Sequence, residues 1–155
     1  MPPHSDLAHC LERHIATLHE FLHVAQTEHE LLLRSFEPEA LASITQQKNL
    51  LLADIIKLDH ERHQYLQSFE LGPDAEGLQA LALQVPELAD AVQTLISLSA
   101  TARQQNENNG ALIHIFLNNN QQALDTLAAI TGKNSFYTAH GRPTSAALGN
   151  TSFKA

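Results

Sequence analysis

The chain has 155 residues, a formal net charge of −8 at pH 7, no Trp, one Cys and ten His. This acidic balance argues against nucleic acid and anionic membrane surfaces as partners, since both call for basic patches. The single Cys10 excludes an internal disulfide and any multi-cysteine zinc site.

Six Gly, six Pro and two Tyr, in a chain rich in Leu, Ala, Gln and Glu, favour helices over sheets. The opening MPPHSDLAHCLERH contains no apolar signal core. No apolar run approaches the ~20 residues of a membrane span. A cytoplasmic location is expected.

From Asp6 to Phe36, apolar residues recur at Leu11, Ile15, Leu18, Leu22, Ala25, Leu32 and Phe36, with His29 filling the one gap. Alternating steps of four and three define a heptad seam on one helix face. Pro38 suits the first position of a second helix, where its missing N–H is not needed. That helix carries a seam of Leu41, Ile44, Leu51, Ile55, Leu58, Tyr65 and Phe69, with Lys48 and Arg62 at the remaining positions. Gly72-Pro73-Asp74 breaks it. Residues 75–84 have the pattern of a short helix, weakened by Gly77.

Pro86 opens the longest periodic stretch. Its seam runs through Leu88, Val92, Leu95, Ser99, Ala102, Asn106, Asn109, Ile113, Phe116, Asn120, Ala123, Leu127 and Ile130, and Gly132 ends it. At 1.5 Å per residue this helix is roughly 65 to 70 Å long, against roughly 45 to 50 Å for each of the first two. Two shorter antiparallel partners cannot cover it, so its end from about Asn118 to Ile130 is expected to overhang, bend or bind something else. The remainder, rich in Gly, Ser, Thr and Ala, lacks periodicity. The expected fold is all-α: an elongated antiparallel three-helix bundle or coiled coil with helices at about 6–36, 38–70 and 86–131. It forms a helical domain over 1–132, followed by a flexible tail over 133–155.

His19-Glu20-Phe21-Leu22-His23 matches H-E-x-x-H, the zinc and general-base pattern of many metalloproteases. A catalytic zinc also needs a third protein ligand, and no extended form of the pattern follows. The seam turns Leu18 and Leu22 inward and leaves His19, Glu20 and His23 outward. The reading is therefore a solvated stretch of the first helix, with Leu22 packing. Glu20 and His23 resemble half of a di-iron site, but no second E-x-x-H exists. No enzyme activity, metal or cofactor is expected.

The unusual segment is NENNGALIHIFLNNNQQALDTL, Asn106 to Leu127. Asn and Gly are poor helix formers placed here in an unbroken seam. Buried Asn residues that fix register across the bundle would explain it, and so would a segment kept locally unstable so that it can repack on a partner. Both readings stay open on the residues alone.

The order of features resembles the FlgN family of flagellar export chaperones. The resemblance begins with the leucine repeats and acidic residues of the first helix. It continues with K-x-x-L-L at Lys48, Leu51 and Leu52, then Arg62. Next come N-x-x-N-G at Asn106, Asn109 and Gly110, Q-Q-A-L-x-x-L from Gln121 to Leu127, and Y-x-x-x-G at Tyr137 and Gly141. His140 departs from the acidic residue usual before that last glycine.

The resemblance implies a cytoplasmic chaperone that takes up the C-terminal helical segment of hook–filament junction proteins, of more than one kind. Such a chaperone prevents their premature assembly and passes them to the type III export gate. By this resemblance, client binding maps onto Leu112, Ile113, Phe116, Leu117, Ala123, Leu124 and Leu127, and docking on the gate's cytoplasmic domain maps onto Tyr137. The alternative is a homo-oligomeric helical scaffold that covers its own overhang. A zinc-dependent hydrolase built on His19, Glu20 and His23 is disfavoured.

Overall fold

The computed structural model describes residues 3–34 and 37–131, the side chains of Pro3, Ala123, Leu127, Ala128, Ile130 and Thr131 excepted. The tail over 133–155, with Tyr137 and Gly141, lies outside the described residues, as does Phe36. Four α-helices follow one another: α1 (Pro3–Arg34), α2 (Pro38–Ser68), α3 (Ala75–Gln84) and α4 (Ala89–Thr131), with a 3-10 turn at Pro86–Leu88 before α4. Among the described residues there is no strand. The all-α bundle expected from the periodicity is present, with the short helix over 75–84 added to the three long ones. The chain divides into two compact units, Met1–Leu112 and Ile113–Ala155.

In the first unit α1 is the central element. Its fully buried stripe is Leu7, Leu11, His14, Leu18, Phe21, Ala25 and Glu28. Steps of four and three recur, but the stripe shares only Leu11, Leu18 and Ala25 with the expected seam. Ile15 and Leu22 are half-buried against the core instead of central to it. Leu22 packs against the core from its edge, as expected, while Phe21 beside it, which the seam did not include, is the more enclosed of the two. A helix flanked by two partners buries a wide face, and its most enclosed line falls between them. That line passes through His14 and Glu28, polar residues that an apolar count skips.

α2 runs antiparallel to α1. His4 meets the ring of Phe69, the Cys10 thiol faces the Leu58 carbonyl, and Arg13 pairs with Glu61. Near the other end Thr45 and Lys48 reach Glu28. The α2 seam holds throughout: every position from Leu41 to Phe69 that was assigned to it is buried or half-buried, Lys48 and Arg62 included. α4 runs parallel to α1 and packs Val92, Leu95 and Ala102 into the same core, joined by Leu88 of the 3-10 turn. Burial pushes the Cys10 thiol above its ordinary pKa, which keeps it protonated and unreactive.

The α2–α3 connection turns earlier than the Gly-Pro pair suggested. Leu71 N–H donates to the Leu66 carbonyl and Glu70 N–H to that of Gln67, a Schellman closure with Glu70 at φ 60° in the left-handed region. Asp74 then caps α3, its carboxylate accepting from the Gly77 N–H at 2.9 Å. Gly77 does not merely weaken this helix. A Cβ there would run into the carbonyl oxygen of Gly72, so glycine permits the first turn of α3 to press on the incoming chain. Gly77→Ala is accordingly expected to lower stability by about 1 to 3 kcal/mol, measured by urea denaturation. An unchanged midpoint would mean that the turn yields freely.

Candidate functional site

Two features of the Asn-rich half of the sequence emerge, one in each unit. In the first, a polar cluster sits where α1, α2 and α4 meet. Glu28 (0% exposed) receives Lys48 Nζ on both carboxylate oxygens, at 3.0 and 2.7 Å, and Lys48 is itself 8% exposed. Thr45 Oγ1 donates to the same carboxylate at 3.0 Å. From α4, the Asn109 amide Nδ2 donates to Glu28 Oε2 at 2.8 Å and to the Ala25 carbonyl at 2.7 Å. The Asn109 carbonyl oxygen lies 3.1 Å from His29 Nδ1 and accepts from Gln105 Nε2 at 3.1 Å.

A buried carboxylate is tolerated only when paired and hydrogen-bonded, and this one has a cation and two further donors. Asn109 uses both ends of its amide. For Asn109, then, the register reading holds: it is a satisfied, fully buried polar residue joining α4 to α1 and, through Glu28, to Lys48 of α2. Asn106 is half-buried, and Asn120, assigned to the same seam, is exposed.

The second feature belongs to the second unit. At 100° per residue, Leu112, Ile113, Phe116, Leu117, Ala123, Leu124 and Leu127 occupy one arc of about 140° on α4. Leu117 and Leu124 are 55% and 53% exposed, while Ile113 and Phe116 are half-buried. The side chains of Ala123 and Leu127 lie outside those described. Leu112, half-buried, is the last residue of the first unit. Ile115, 56% exposed, was not among the expected residues and stands about 60° off the edge of the arc.

A family model described as FlgN protein matches residues 1–145. The chain belongs to the FlgN family. FlgN proteins are flagellar export chaperones, and binding flagellar export substrates is what the family implies. The match runs past Tyr137 and Gly141. No curated protein and no solved structure matched the chain.

Within the FlgN features quoted from the sequence, the structure brings Lys48 and Asn109 together through Glu28, a residue that sequence reasoning missed. Its one available signal was its place in the line of Leu7, Leu11, His14, Leu18, Phe21 and Ala25. Gly110 is different. A Cβ there meets nothing within 4 Å, so neither packing nor a turn requires glycine. Gly110→Ala is expected to raise stability by about 0.5 to 1 kcal/mol, read from the denaturation midpoint. A lower midpoint would show that the position needs glycine for the fold.

His19, Glu20 and His23 are exposed on α1, as expected, though they do not face bare solvent. They edge an open hollow with Val24, Gln47, Leu50 and Leu51. Among the described residues no group of three His, Cys, Asp or Glu is placed to hold a metal ion. The FlgN family is a chaperone family and is not known as an enzymatic one. Among the described residues no helix is long and apolar enough to cross a membrane.

Proposed function

We propose that this chain is a cytoplasmic chaperone for hook–filament junction proteins. In this reading it binds their amphipathic C-terminal helices on the apolar arc of α4, keeps them from assembling early and carries them to the export gate. The observation that carries the reading is the exposure of Leu117 and Leu124, one heptad apart, in a chain whose family handles flagellar export substrates. Leucines at that spacing present a stripe to a second helix, the usual way an amphipathic helix is recognised.

Burying ~600 to 800 Å² of apolar client surface at ~25 cal/mol per Å² amounts to ~15 to 20 kcal/mol gross. Ordering both partners offsets most of it, leaving micromolar to nanomolar affinity, which suits a carrier that must release its load.

The test is calorimetry against the C-terminal segment of the organism's own junction proteins. Saturable one-to-one binding with a negative heat-capacity change is expected. No binding at high micromolar concentration would overturn the reading in favour of a homo-oligomeric helical scaffold, which light scattering across a concentration series would reveal.

Tyr137 is assigned to docking on the cytoplasmic domain of the gate. Tyr137→Ala is expected to leave client affinity unchanged and to weaken binding of the loaded chaperone to that domain. Equal gate binding by both proteins would remove Tyr137 from the site.

A further inference from the structure

Among the described residues, His14 is the one histidine that the fold buries: it is 1% exposed, on the enclosed line of α1 between Leu11 and Leu18. Its Nδ1 has no hydrogen-bond partner among the described residues. Its Nε2 stands 3.7 Å from Asp59 Oδ1, too far for a hydrogen bond. The ring therefore packs as an apolar group would. It borders a hollow with Leu18 of α1, Ile55 and Asp59 of α2, and Ala102 and Arg103 of α4, so all three long helices of the first unit meet around it.

The charges around the ring already cancel. From α2, Asp59 faces it and is held by Arg62 Nη2 at 2.9 Å, while Glu61 pairs with Arg13 of α1. Arg103 comes from α4, and Asp74, at the start of α3, borders the adjoining hollow with Asp59, Arg62 and Arg103. Asp59, Glu61 and Asp74 thus stand against Arg13, Arg62 and Arg103. The Cys10 thiol, one turn away on α1, is kept uncharged by burial. A proton on His14 would be a surplus charge in an enclosed place, which is costly without a partner. It would also make both ring nitrogens donors, and Nδ1 has no acceptor. Burial, opposed by Asp59 and reinforced by Arg62, accordingly holds this imidazole below its ordinary pKa.

We propose that His14 is an acid-sensitive latch on the first unit: uncharged, it packs α1 against both α2 and α4, and charged, it loosens them. An unfolded histidine takes its proton near pH ~6.5, where the packed ring still refuses it. Below that pH the open chain binds a proton that the closed one does not, so stability falls as the pH falls, down to the pKa of the packed ring. At about pH 7.5 and above the ring is neutral in both states, and the latch is fully closed. Because α2 and α4 both rest on α1, a charge at this one position acts on two helix contacts at once.

The test is urea denaturation of the full chain at about pH 7.5 and about pH 5.5, for the wild type, His14→Leu and His14→Gln. Neither replacement can titrate. Each protein is compared only with itself at the two pH values, so any packing a variant loses cancels, and so does the titration of the other histidines. The unfolding constant of the wild type is expected to rise on acidification by about three- to tenfold more than that of either variant. An equal rise in all three proteins would overturn the proposal. A smaller rise in the wild type would also overturn it, because it would mean that the protonated ring turns to Asp59 and gains an ion pair. A second measurement needs no variant: the His14 ring signals of the isotopically labelled wild type, followed by NMR against pH. They should stay those of a neutral imidazole at about pH 6.5, and half-protonation at or above that pH would overturn the proposal even if both variants failed to fold.

Discussion

Leu124→Asp is expected to reduce affinity for the client's C-terminal helix more than about 100-fold while leaving the protein as helical as before. The leucine is 53% exposed, so the free chain loses little packing when it is replaced. In the complex the change acts twice. It removes about 1.5 to 3 kcal/mol of apolar burial, and it carries a carboxylate into a face with no cation to receive it. Leu117→Asp, one heptad away, should behave alike, and circular dichroism of both variants should overlay the wild type. Ile115→Asp is the internal control. Ile115 is as exposed as the two leucines but stands off the arc, so its replacement should change affinity less than about threefold if the client follows the stripe. Equal losses at all three positions would mean that the client wraps the helix. No loss at Leu117 or Leu124 would dismiss the arc as the client site.

The helices were legible because their periodicity is long and their punctuation clear. Pro38 opens α2, and Pro86 opens the 3-10 turn leading into α4. The α2 seam was legible even where it was polar, since Lys48 and Arg62 stand among apolar neighbours on both sides. α1 was read one step off because it serves two partners. Ile15 and Leu22 look central to a one-partner seam, whereas the line between the two partners runs through His14, Phe21 and Glu28. Asn109 was legible as a seam position, but its partners were not, because hydrogen bonds between residues 80 or more apart leave no local trace. The arc on α4 was visible as a pattern of leucines. What covers it is not written in periodicity, and the family resemblance supplied that reading.

Lys48→Met should be the most damaging single change in the first unit. It leaves the Glu28 carboxylate, 0% exposed, with the hydroxyl of Thr45 and the amide of Asn109 but no cation. Removing one member of a buried ion pair costs about 3 to 5 kcal/mol, which in a domain of this size corresponds to a fall in Tm of about 10 °C or more. Glu28→Leu strands the ammonium instead and frees Asn109 Nδ2 of one of its two acceptors, so a similar loss is expected. Combining the two substitutions removes both charges and should recover most of either loss, because an apolar pair of similar volume carries no desolvation penalty. The signature is thus a double-mutant cycle with coupling of at least about 2 kcal/mol, measured by urea denaturation at constant pH. A cost under about 1 kcal/mol for Lys48→Met, with additive behaviour in the combination, would show that solvent shares the pair and that burial does not decide its worth. If the apolar pair proves as stable as the ionic one, stability is not what keeps the charges. The geometry then leaves one role for them. Glu28 takes Lys48 from one side and Asn109 from the other, so a slide of α2 along α1 by one turn breaks the first bond and a slide of α4 breaks the second, whereas leucine and methionine would tolerate either. The double variant should therefore keep its helicity but lose amide protection along α4 from Leu95 to Asn109 in hydrogen exchange.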